Sequence, residues 1–354
     1  MDDLKNNYLI DVSGEMFRMQ LQMSQLDPFL CDFEMPLKAV FHPLGFSLEI
    51  ATNSPGVLEA AEESWRHFSK VFSGPTLRLR IAVEGESDGC PPDLVCRQQH
   101  NLLARVADAR NFAVSDVQHG FAFAWLTRTT VERRAYLRSR FLESIVWDLL
   151  EPSCVTPVHA ACVQRKEHGF LFCGDSGAGK STLAYACARS GWTYLSDDYC
   201  HVVRGRNDRM LIGNPNQIRL RESTVEIFPE LKQHPSTPHD DEMVIELATA
   251  DVPEMKTRQY CPIDYIIFLK RGPYAAPQLA PFPKHSLSKW FEQILWGPKE
   301  IRDAHRATIR TLLTAETFEL RYSDLNSAVD LLETMVCYDI GALCELQAAR
   351  GKAG

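Results

Sequence analysis

The sequence has 354 residues, of which 45% are hydrophobic and 24% are charged. These proportions exclude intrinsic disorder as the default state and are enough for substantial buried cores in two domains. The net charge of −8 disfavours a nucleic-acid partner held by broad phosphate attraction, although one local pocket could still bind a polyphosphate.

Targeting signals and cysteine usage narrow the class further. No stretch approaches 18 consecutive apolar residues, and residues 1–5 lack the basic flank and apolar run of a signal peptide. We therefore expect a cytoplasmic protein without a membrane partner. The eleven cysteines stand singly, without a C-x-x-C pair, which favours buried thiols over a disulfide framework or a metal site.

The first part of the chain, residues 1–128, predicts an α+β domain whose role the sequence does not disclose. Apolar runs, strict alternation and Pro-Gly punctuation locate its elements. They are strands within 37–50, broken by a turn at 42–45, a helix at 55–68, and strands at 76–83 and 112–126.

A helix over residues 129–152 is predicted to connect this domain to the rest of the chain. Thr129 and Glu132 fit a capping box at its start, and apolar residues then recur at helical spacing from Leu137 to Leu150. Four arginines on this helix are interpreted as a solvated face rather than as a phosphate site. They are Arg133, Arg134, Arg138 and Arg140.

Strands and helices alternate over residues 153–340 and predict an α/β domain, followed by a C-terminal tail over 341–354. Residues 233–262 carry several prolines, so we predict a mobile surface loop there rather than a metal site, and a loop of this length could close over a substrate. Extended segments are expected at 154–164, 170–173, 193–196, 200–204, 210–212, 263–269 and 318–321, helices at 181–189, 286–296 and 324–337, and a polar segment at 299–313.

Residues 174–181 fit the pattern G-x-x-x-x-G-K-[ST] at every defined position, between an apolar strand and a helix. Glycines let successive backbone N–H groups point at phosphate oxygens, and the following helix directs its positive dipole end at the same anion. Lys180 adds a full charge near the β- and γ-phosphates, and Ser181 offers a hydroxyl to Mg²⁺. The predicted nucleotide-binding residues are Gly174, Asp175, Ser176, Gly177, Ala178, Gly179, Lys180, Ser181 and Thr182.

Two further features could complete a phosphoryl-transfer site. Asp197 and Asp198 end a short apolar strand, and because adjacent strand residues point to opposite sides, one can serve a metal while the other faces the acceptor. Two acids before a turn are also common in solvated loops. His159 lies in a small, apolar strand, where a histidine is more often a satisfied core residue than a functional one.

Taken in order, His159-Ala160, the loop 174–181, Gly191 and Asp197-Asp198 resemble the catalytic domain of the HPr kinase/phosphorylase family. The core of that domain is also similar to ATP-dependent phosphoenolpyruvate carboxykinase. The resemblance covers roughly residues 150–340 and implies an α/β P-loop kinase core of this type, preceded by a smaller α+β domain. Residues 214–220 and 318–325 resemble HPr-kinase-like proteins, including those that phosphorylate precursor peptides.

The resemblance implies ATP and Mg²⁺ as cofactors and assigns roles to the matching residues. Lys180 and the loop amides would bind the β-phosphate, and Ser181 with Asp198 would hold Mg²⁺. Asp197 would accept the proton of the substrate hydroxyl, while His159 would tune its charge or contact the transferring phosphate. Analogy with the family also suggests a homo-oligomer.

The sequence departs from the family at several positions. Thr182 stands where these kinases usually carry glutamate, and neither the E-I-R-G-L-G-I signature nor the P-G-R element is found. HPr as substrate and the reverse phosphorolysis reaction are therefore not expected. Arg219, Arg221 and Arg258 are the nearest candidates for the missing phosphate contacts, although an ordinary surface ion pair is the commoner role of such residues.

The leading hypothesis is an ATP-dependent kinase that phosphorylates a serine hydroxyl of a protein or peptide. One alternative is a small-molecule kinase or a carboxykinase-like enzyme, and another is a nucleotide-binding regulator with little turnover. The presence of both Asp197 and Asp198 favours an enzyme. The absence of L-S-G-G-Q and N-K-x-D motifs argues against transporter ATPases and GTPases.

Overall fold

The computed structural model describes residues 33–337 except 88, 90, 240, 241 and 253. The chain divides into two compact units, Met1–Ser153 and Cys154–Gly354. The expectations for residues 1–5 and for the tail 341–354 lie outside the described residues. No helix in the described part of the chain is long and apolar enough to cross a membrane.

The fold is mixed α/β with several sheets. Among the described residues of the first unit, strands form one sheet in the spatial order first, second, third, seventh, sixth, fifth and fourth. The second, third and seventh strands run parallel, and the remaining pairs are antiparallel. The strands are β1 (Leu37–Phe41), β2 (Leu48–Thr52), β3 (Leu77–Val83), β4 (Val95–Gln99), β5 (Leu102–Val106), β6 (Phe112–Asp116) and β7 (Phe121–Leu126).

The predicted α+β elements of the first unit are present, and the alternation of β3 places Leu77, Leu79 and Ile81 in the core. Strands β4 and β5 were not predicted from the sequence. Strand β4 is exposed along its whole length, so no apolar face marks it. The helices are α1 (Pro55–Trp65), α2 (Arg128–Glu132), α3 (Arg134–Tyr136), a π-helical turn Leu137–Glu143, and α4 (Ser144–Ser153).

The start of the connecting helix differs from the prediction. Thr127 is the N-cap, and its Oγ1 accepts a hydrogen bond from the Thr130 N–H at 3.3 Å. The Thr129 hydroxyl instead exchanges hydrogen bonds with the Ser87 backbone at 3.1 and 3.2 Å. Since the backbone of a neighbouring loop competes for Thr129, the cap shifts by two residues. Residues 129–152 fall within the first unit, Met1–Ser153.

The main sheet of the second unit contains three neighbouring parallel strands that position the site. The described strands of the second unit, of which β14, β15 and β16 form a separate sheet, are β8 (Val155–His159), β9 (Ala161–Arg165), β10 (His168–Cys173), β11 (Thr193–Ser196), β12 (Tyr199–Val203), β13 (Met210–Ile212), β14 (Gln217–Arg221), β15 (Ser236–His239), β16 (Glu242–Ala248), β17 (Lys256–Thr257), β18 (Tyr260–Arg271), β19 (Gln278–Pro281) and β20 (Glu316–Tyr322). Strand β18 runs parallel to β10 on one side and to β20 on the other. Their carboxyl ends therefore meet at one edge of the sheet.

Helices cover both faces of this sheet. They are α5 (Lys180–Arg189), α6 (Lys284–Glu292), α7 (Lys299–Leu312) and α8 (Leu325–Cys337). Leu183 of α5 and Leu332 of α8 belong to one apolar cluster with Phe172, whereas Phe291 of α6 and Leu312 of α7 belong to a second cluster with Leu171. Adjacent residues of β10 thus enter opposite cores, as the period of a strand buried on both faces requires.

One prediction for the second unit is wrong, and one segment without a predicted element forms a helix. Residues 233–262 do not form a surface loop, because β15 and β16 pair within them and β16 also pairs with β14 to make a separate three-stranded sheet. The polar segment at 299–313 is the helix α7, whose narrow buried stripe includes the polar residues His305 and Thr308. Polar residues on that stripe hide the helical period in the sequence.

Candidate functional site

The glycine-rich loop, residues 174–180, joins the end of β10 to the start of α5. Gly174, Gly177 and Gly179 have φ angles of 149°, 82° and 93°, a region that L-residues with a side chain rarely enter. A Cβ on Gly179 would lie 2.6 Å from the hydroxyl of Tyr322, which donates a hydrogen bond to the Ala178 carbonyl at 3.0 Å. Tyr322, at the end of β20, therefore supports the loop through this hydrogen bond, and its hydroxyl leaves no room for a side chain at position 179.

Lys180 is almost fully buried, and its Nζ donates a hydrogen bond to the Gly174 carbonyl at 2.9 Å across the loop. Burial lowers the pKa of Lys180, and the nearby Cys173, Asp198 and Asp175 oppose that effect. An ammonium group that has lost most of its water attracts an anion more strongly than an exposed one, because the surrounding dielectric screens it less.

Asp197 follows β11 and is 7% exposed. Its Oδ1 accepts a hydrogen bond from the Tyr194 hydroxyl, and its Oδ2 accepts one from the Arg219 N–H, both at 2.8 Å. Burial raises the pKa of Asp197 to about 6, against the lowering effect of these two hydrogen bonds. The Ser181 hydroxyl donates to the Asp197 carbonyl at 3.1 Å, which joins the acidic strand end directly to the start of α5.

Asp198 is half-exposed, and its Oδ1 lies 3.1 Å from Nδ1 of His159. The contact arises because β8 pairs with β12 and sets His159 opposite Tyr199, the residue after Asp198. Burial and the charge of Lys180 lower the pKa of His159, while Asp198 opposes them. The lowered pKa favours a neutral ring, which can donate from Nδ1–H to the carboxylate, so the predicted histidine is a partner of Asp198 rather than a core residue.

These residues line one cleft of about 550 Å³ in the second unit. The sequence-predicted residues that line it are His159, Ser176, Gly177, Gly179, Lys180, Ser181, Thr182, Asp197 and Asp198. Gly174, Asp175 and Ala178 belong to the loop without lining the cleft; Gly174 and Ala178 contribute the carbonyls that accept from Lys180 and Tyr322. The structure therefore brings the loop, the acid pair and the histidine together, as the order of motifs suggested.

The arginine candidates divide into two kinds. Arg219 and Arg221 line the cleft, whereas Arg258 does not and instead donates to Gln164 Oε1 at 3.0 Å. Arg221 pairs with Glu242 at 2.6 Å and also donates to the Ser176 hydroxyl at 3.1 Å. The Arg219 Nε lies 3.0 Å from a carboxylate oxygen of Glu246.

Sequence reasoning missed Arg271, which also lines the cleft. It is the last residue of β18 and follows an apolar run and Lys270. A basic pair at the carboxyl end of a strand was the available signal, but it points to the loop only once β18 is known to lie beside β10.

The oxygen ligands in the cleft suit a cation that is bound mainly by phosphate and water, rather than one that is coordinated entirely by protein side chains. Within the described ranges, no three His, Cys, Asp or Glu side chains are clustered so that they could hold a metal ion. Mg²⁺ commonly keeps several waters and takes one or two carboxylates plus substrate phosphates. Ser181 and the half-exposed Asp198, which flank the buried Asp197, fit that requirement because both line the cleft beside the loop.

Comparison with known proteins adds little. No family model matches the chain, and neither does any curated protein. Among solved structures, the chain is similar to one described as the Hpr(Ser) kinase/phosphatase from Coxiella burnetii, with 15% identity and a TM-score of 0.27 over 51% of this chain and 93% of that chain. A likeness this weak carries no argument about function, so the chemistry of the cleft is judged from its own residues.

Proposed function

We propose that this protein is an ATP- and Mg²⁺-dependent kinase that transfers the terminal phosphoryl group to a serine hydroxyl of a protein or peptide. The observation that carries the proposal is the convergence of a glycine-rich loop and an acid pair on one cleft, linked by the Ser181 hydroxyl bonded to the Asp197 carbonyl at 3.1 Å. Phosphoryl transfer needs these parts: a phosphate cradle, a metal ligand and a group that receives the proton.

Nucleotide binding would use the loop and Lys180. The positive φ angles of the glycines curl the backbone so that its N–H groups can surround phosphate oxygens. Lys180 would exchange its hydrogen bond to the Gly174 carbonyl for a bond to a phosphate oxygen, in which donor and acceptor both carry charge. The cleft of about 550 Å³ lies within the usual range for small-molecule sites.

In the proposed reaction the serine oxygen bonds to the terminal phosphorus, the bond from that phosphorus to the leaving ADP oxygen breaks, and the serine proton passes to a carboxylate. Asp197 is the proposed acceptor, since burial raises its pKa to about 6, close to the working pH of a general base. Ser181 and Asp198 would hold Mg²⁺, which when bound neutralises phosphate charge. His159 would orient Asp198 through their 3.1 Å contact.

One observation favours a second division of roles between the two aspartates. Both carboxylate oxygens of Asp197 already accept hydrogen bonds inside the protein, whereas Asp198 is half-exposed and has a histidine at its side. Asp198 with His159 would then receive the proton, and Asp197 would face the metal. The two assignments predict different effects of excess Mg²⁺. It should partly restore activity only to the variant that lacks the metal ligand.

The first experiment asks whether nucleotide binds at the loop. We expect ATP with Mg²⁺ to raise the melting temperature of the full chain, because a ligand that binds only the folded state stabilises it. Lys180→Ala should remove that shift, while Lys166→Ala, which changes an exposed lysine outside the cleft, should keep it. An unchanged shift in Lys180→Ala would place nucleotide elsewhere and overturn the proposal.

The second experiment asks about transfer and roles. The purified chain, incubated with γ-labelled ATP and a lysate of its host, should place label on serine, and Asp197→Asn should not. Raising Mg²⁺ should partly restore Asp198→Asn but not Asp197→Asn if Asp197 receives the proton. The reverse pattern would exchange the two roles, and equal labelling by all three proteins would remove both aspartates from the reaction.

A further inference from the structure

Arg271 continues a row of buried apolar side chains. Along β18, Ile267 and Leu269 belong to the core covered by α5 and α8, and residues two apart on a strand share a face. Arg271 is the next member of that row. The apolar row thus ends in a guanidinium group at the edge of the sheet where the glycine-rich loop begins.

The position of Arg271 relative to the loop follows from the strand pairing. The Leu269 carbonyl lies 3.2 Å from where a Cβ on Gly174 would be, so the end of β18 passes directly beside the loop. In the register of the two strands, Arg271 lies opposite Tyr322 of β20. The Tyr322 hydroxyl donates a hydrogen bond to the Ala178 carbonyl at 3.0 Å. Arg271 is therefore the cross-strand neighbour of the residue that supports the loop, and it lines the same cleft as Lys180.

The charge of Arg271 is not neutralised in the way that the other two cleft arginines are. Arg219 and Arg221 each lie within 3.0 Å of a glutamate of β16. Arg271 has no salt-bridge partner among the residues that the structure describes. A guanidinium without a carboxylate partner keeps its donors for a ligand, and its planar fork matches a phosphate bidentately.

We infer that Arg271 binds the terminal phosphoryl group of the nucleotide in the cleft that Lys180 also lines. This inference rests on the proposed kinase function and names a residue of that site which the loop motif does not include. A guanidinium group that contacts the transferring phosphoryl group stabilises the negative charge spread over the equatorial oxygens of that group. The proton and the leaving group follow the route already described, so Arg271 contributes charge and position only.

The test compares ATP and ADP binding, because only ATP carries the group that Arg271 would contact. Isothermal titration of the full chain with each nucleotide and Mg²⁺ should show that Arg271→Ala weakens ATP by about 10- to 100-fold and ADP by less than about 3-fold, as expected for one charge-assisted contact. Arg271→Lys, which keeps the charge but not the fork, should fall between the parent and Arg271→Ala. Lys270→Ala removes the adjacent exposed cation, which does not line the cleft, and should leave both affinities unchanged.

The outcomes separate this inference from the proposed function. If the parent binds ATP through Lys180 and Arg271→Ala binds it equally well, the role of Arg271 is overturned and the kinase proposal stands. Equal weakening of ATP and ADP would also overturn it, because the contact would then be with the shared phosphates or with the support of the loop. If the parent binds neither nucleotide, both the function and the inference fail.

Discussion

Asp148 in the first unit and Asp197 in the second are both buried, and burial raises the pKa of each to about 6. Their surroundings differ. Asp148 accepts two parallel hydrogen bonds at 2.6 Å from the guanidinium of Arg105 on β5, which neutralises its charge. Asp197 accepts hydrogen bonds from neutral groups, a phenol and a backbone N–H, and it borders a cleft with a buried lysine.

The comparison teaches that a displaced pKa does not identify a functional group by itself. Ion pairs inside a fold and reactive groups in a cleft both arise where carboxylates lose water, so the same cause shifts both. What separates them is whether a partner already satisfies the charge and whether the group borders a space that a ligand can enter. Asp148 meets the first condition and Asp197 the second.

The largest expected effect separates the two aspartates by activity. Asp197→Asn should lower the rate of phosphoryl transfer by about 100- to 10,000-fold, the usual loss when a general base is removed. Asp148→Asn should leave that rate within about 3-fold of the parent at a temperature where the variant is folded. Transfer of label from γ-labelled ATP measures both. A comparable loss in the two variants would mean that burial alone, and not the cleft, accounts for the effect of Asp197→Asn.

The next effect separates them by stability. Asp148→Ala should lower the free energy of unfolding by about 3 kcal/mol, because it leaves the Arg105 charge largely buried without its partner. Glu59→Ala breaks the exposed pair with Arg134 in the same unit and should cost less than about 1 kcal/mol. A double-mutant cycle of Asp148→Ala, Arg105→Ala and the double variant, measured by urea unfolding of the full chain, gives the coupling free energy between the two residues. A coupling near zero would show that the pair contributes nothing net.

A smaller effect concerns the support of the loop. Gly179→Ala should weaken ATP by about 10-fold, because the new methyl group meets the Tyr322 hydroxyl and the φ of 93° disfavours a side chain. Tyr322→Phe removes that oxygen and should restore part of the affinity when combined with Gly179→Ala. Calorimetric titration with ATP checks both variants. If Tyr322→Phe gives no rescue, the backbone angle rather than the contact is responsible.

The smallest effect comes from a third buried group, which lies in the second unit away from the cleft. Burial and the charge of Arg204 lower the pKa of His305 to about 3 from its ordinary 6.5. Unfolding lets His305 take up a proton, so its contribution to stability is complete above pH 6.5 and is lost progressively as the pH falls toward 3. The expected loss is about 1.3 kcal/mol between pH 7.5 and 5.5.

Urea unfolding at those two pH values should show this pH dependence in the parent and in His168→Gln, which changes a partly exposed histidine of the same unit. His305→Gln should have a pH dependence that is smaller by the stated amount, whatever its absolute stability. Equal slopes in the parent and in His305→Gln would show that other groups determine the pH dependence.

Local patterns in the sequence were sufficient where the physics is local. The glycine-rich loop, the helix α5 and the stop at Gly191, whose φ is 85°, could be read directly, because backbone curl, helix start and helix end depend on neighbouring residues. The apolar period from Leu137 to Leu150 likewise predicted the buried face that the structure shows. The expectation that His159, the loop and the acid pair share one site came from the family resemblance and not from local physics.

Tertiary structure alone decided which groups complete that site and in what state. Arg271 and Tyr322 lie 91 and 142 residues after Lys180, and they reach the loop only because β18 runs parallel beside β10 and β20 runs parallel beside β18. One carboxylate oxygen of Asp197 accepts from the backbone N–H of Arg219, and no spacing rule connects that residue to Asp197. Strand pairing joins residues that are distant in the chain, so the sequence determined the cradle, and the parallel sheet determined the charges around it.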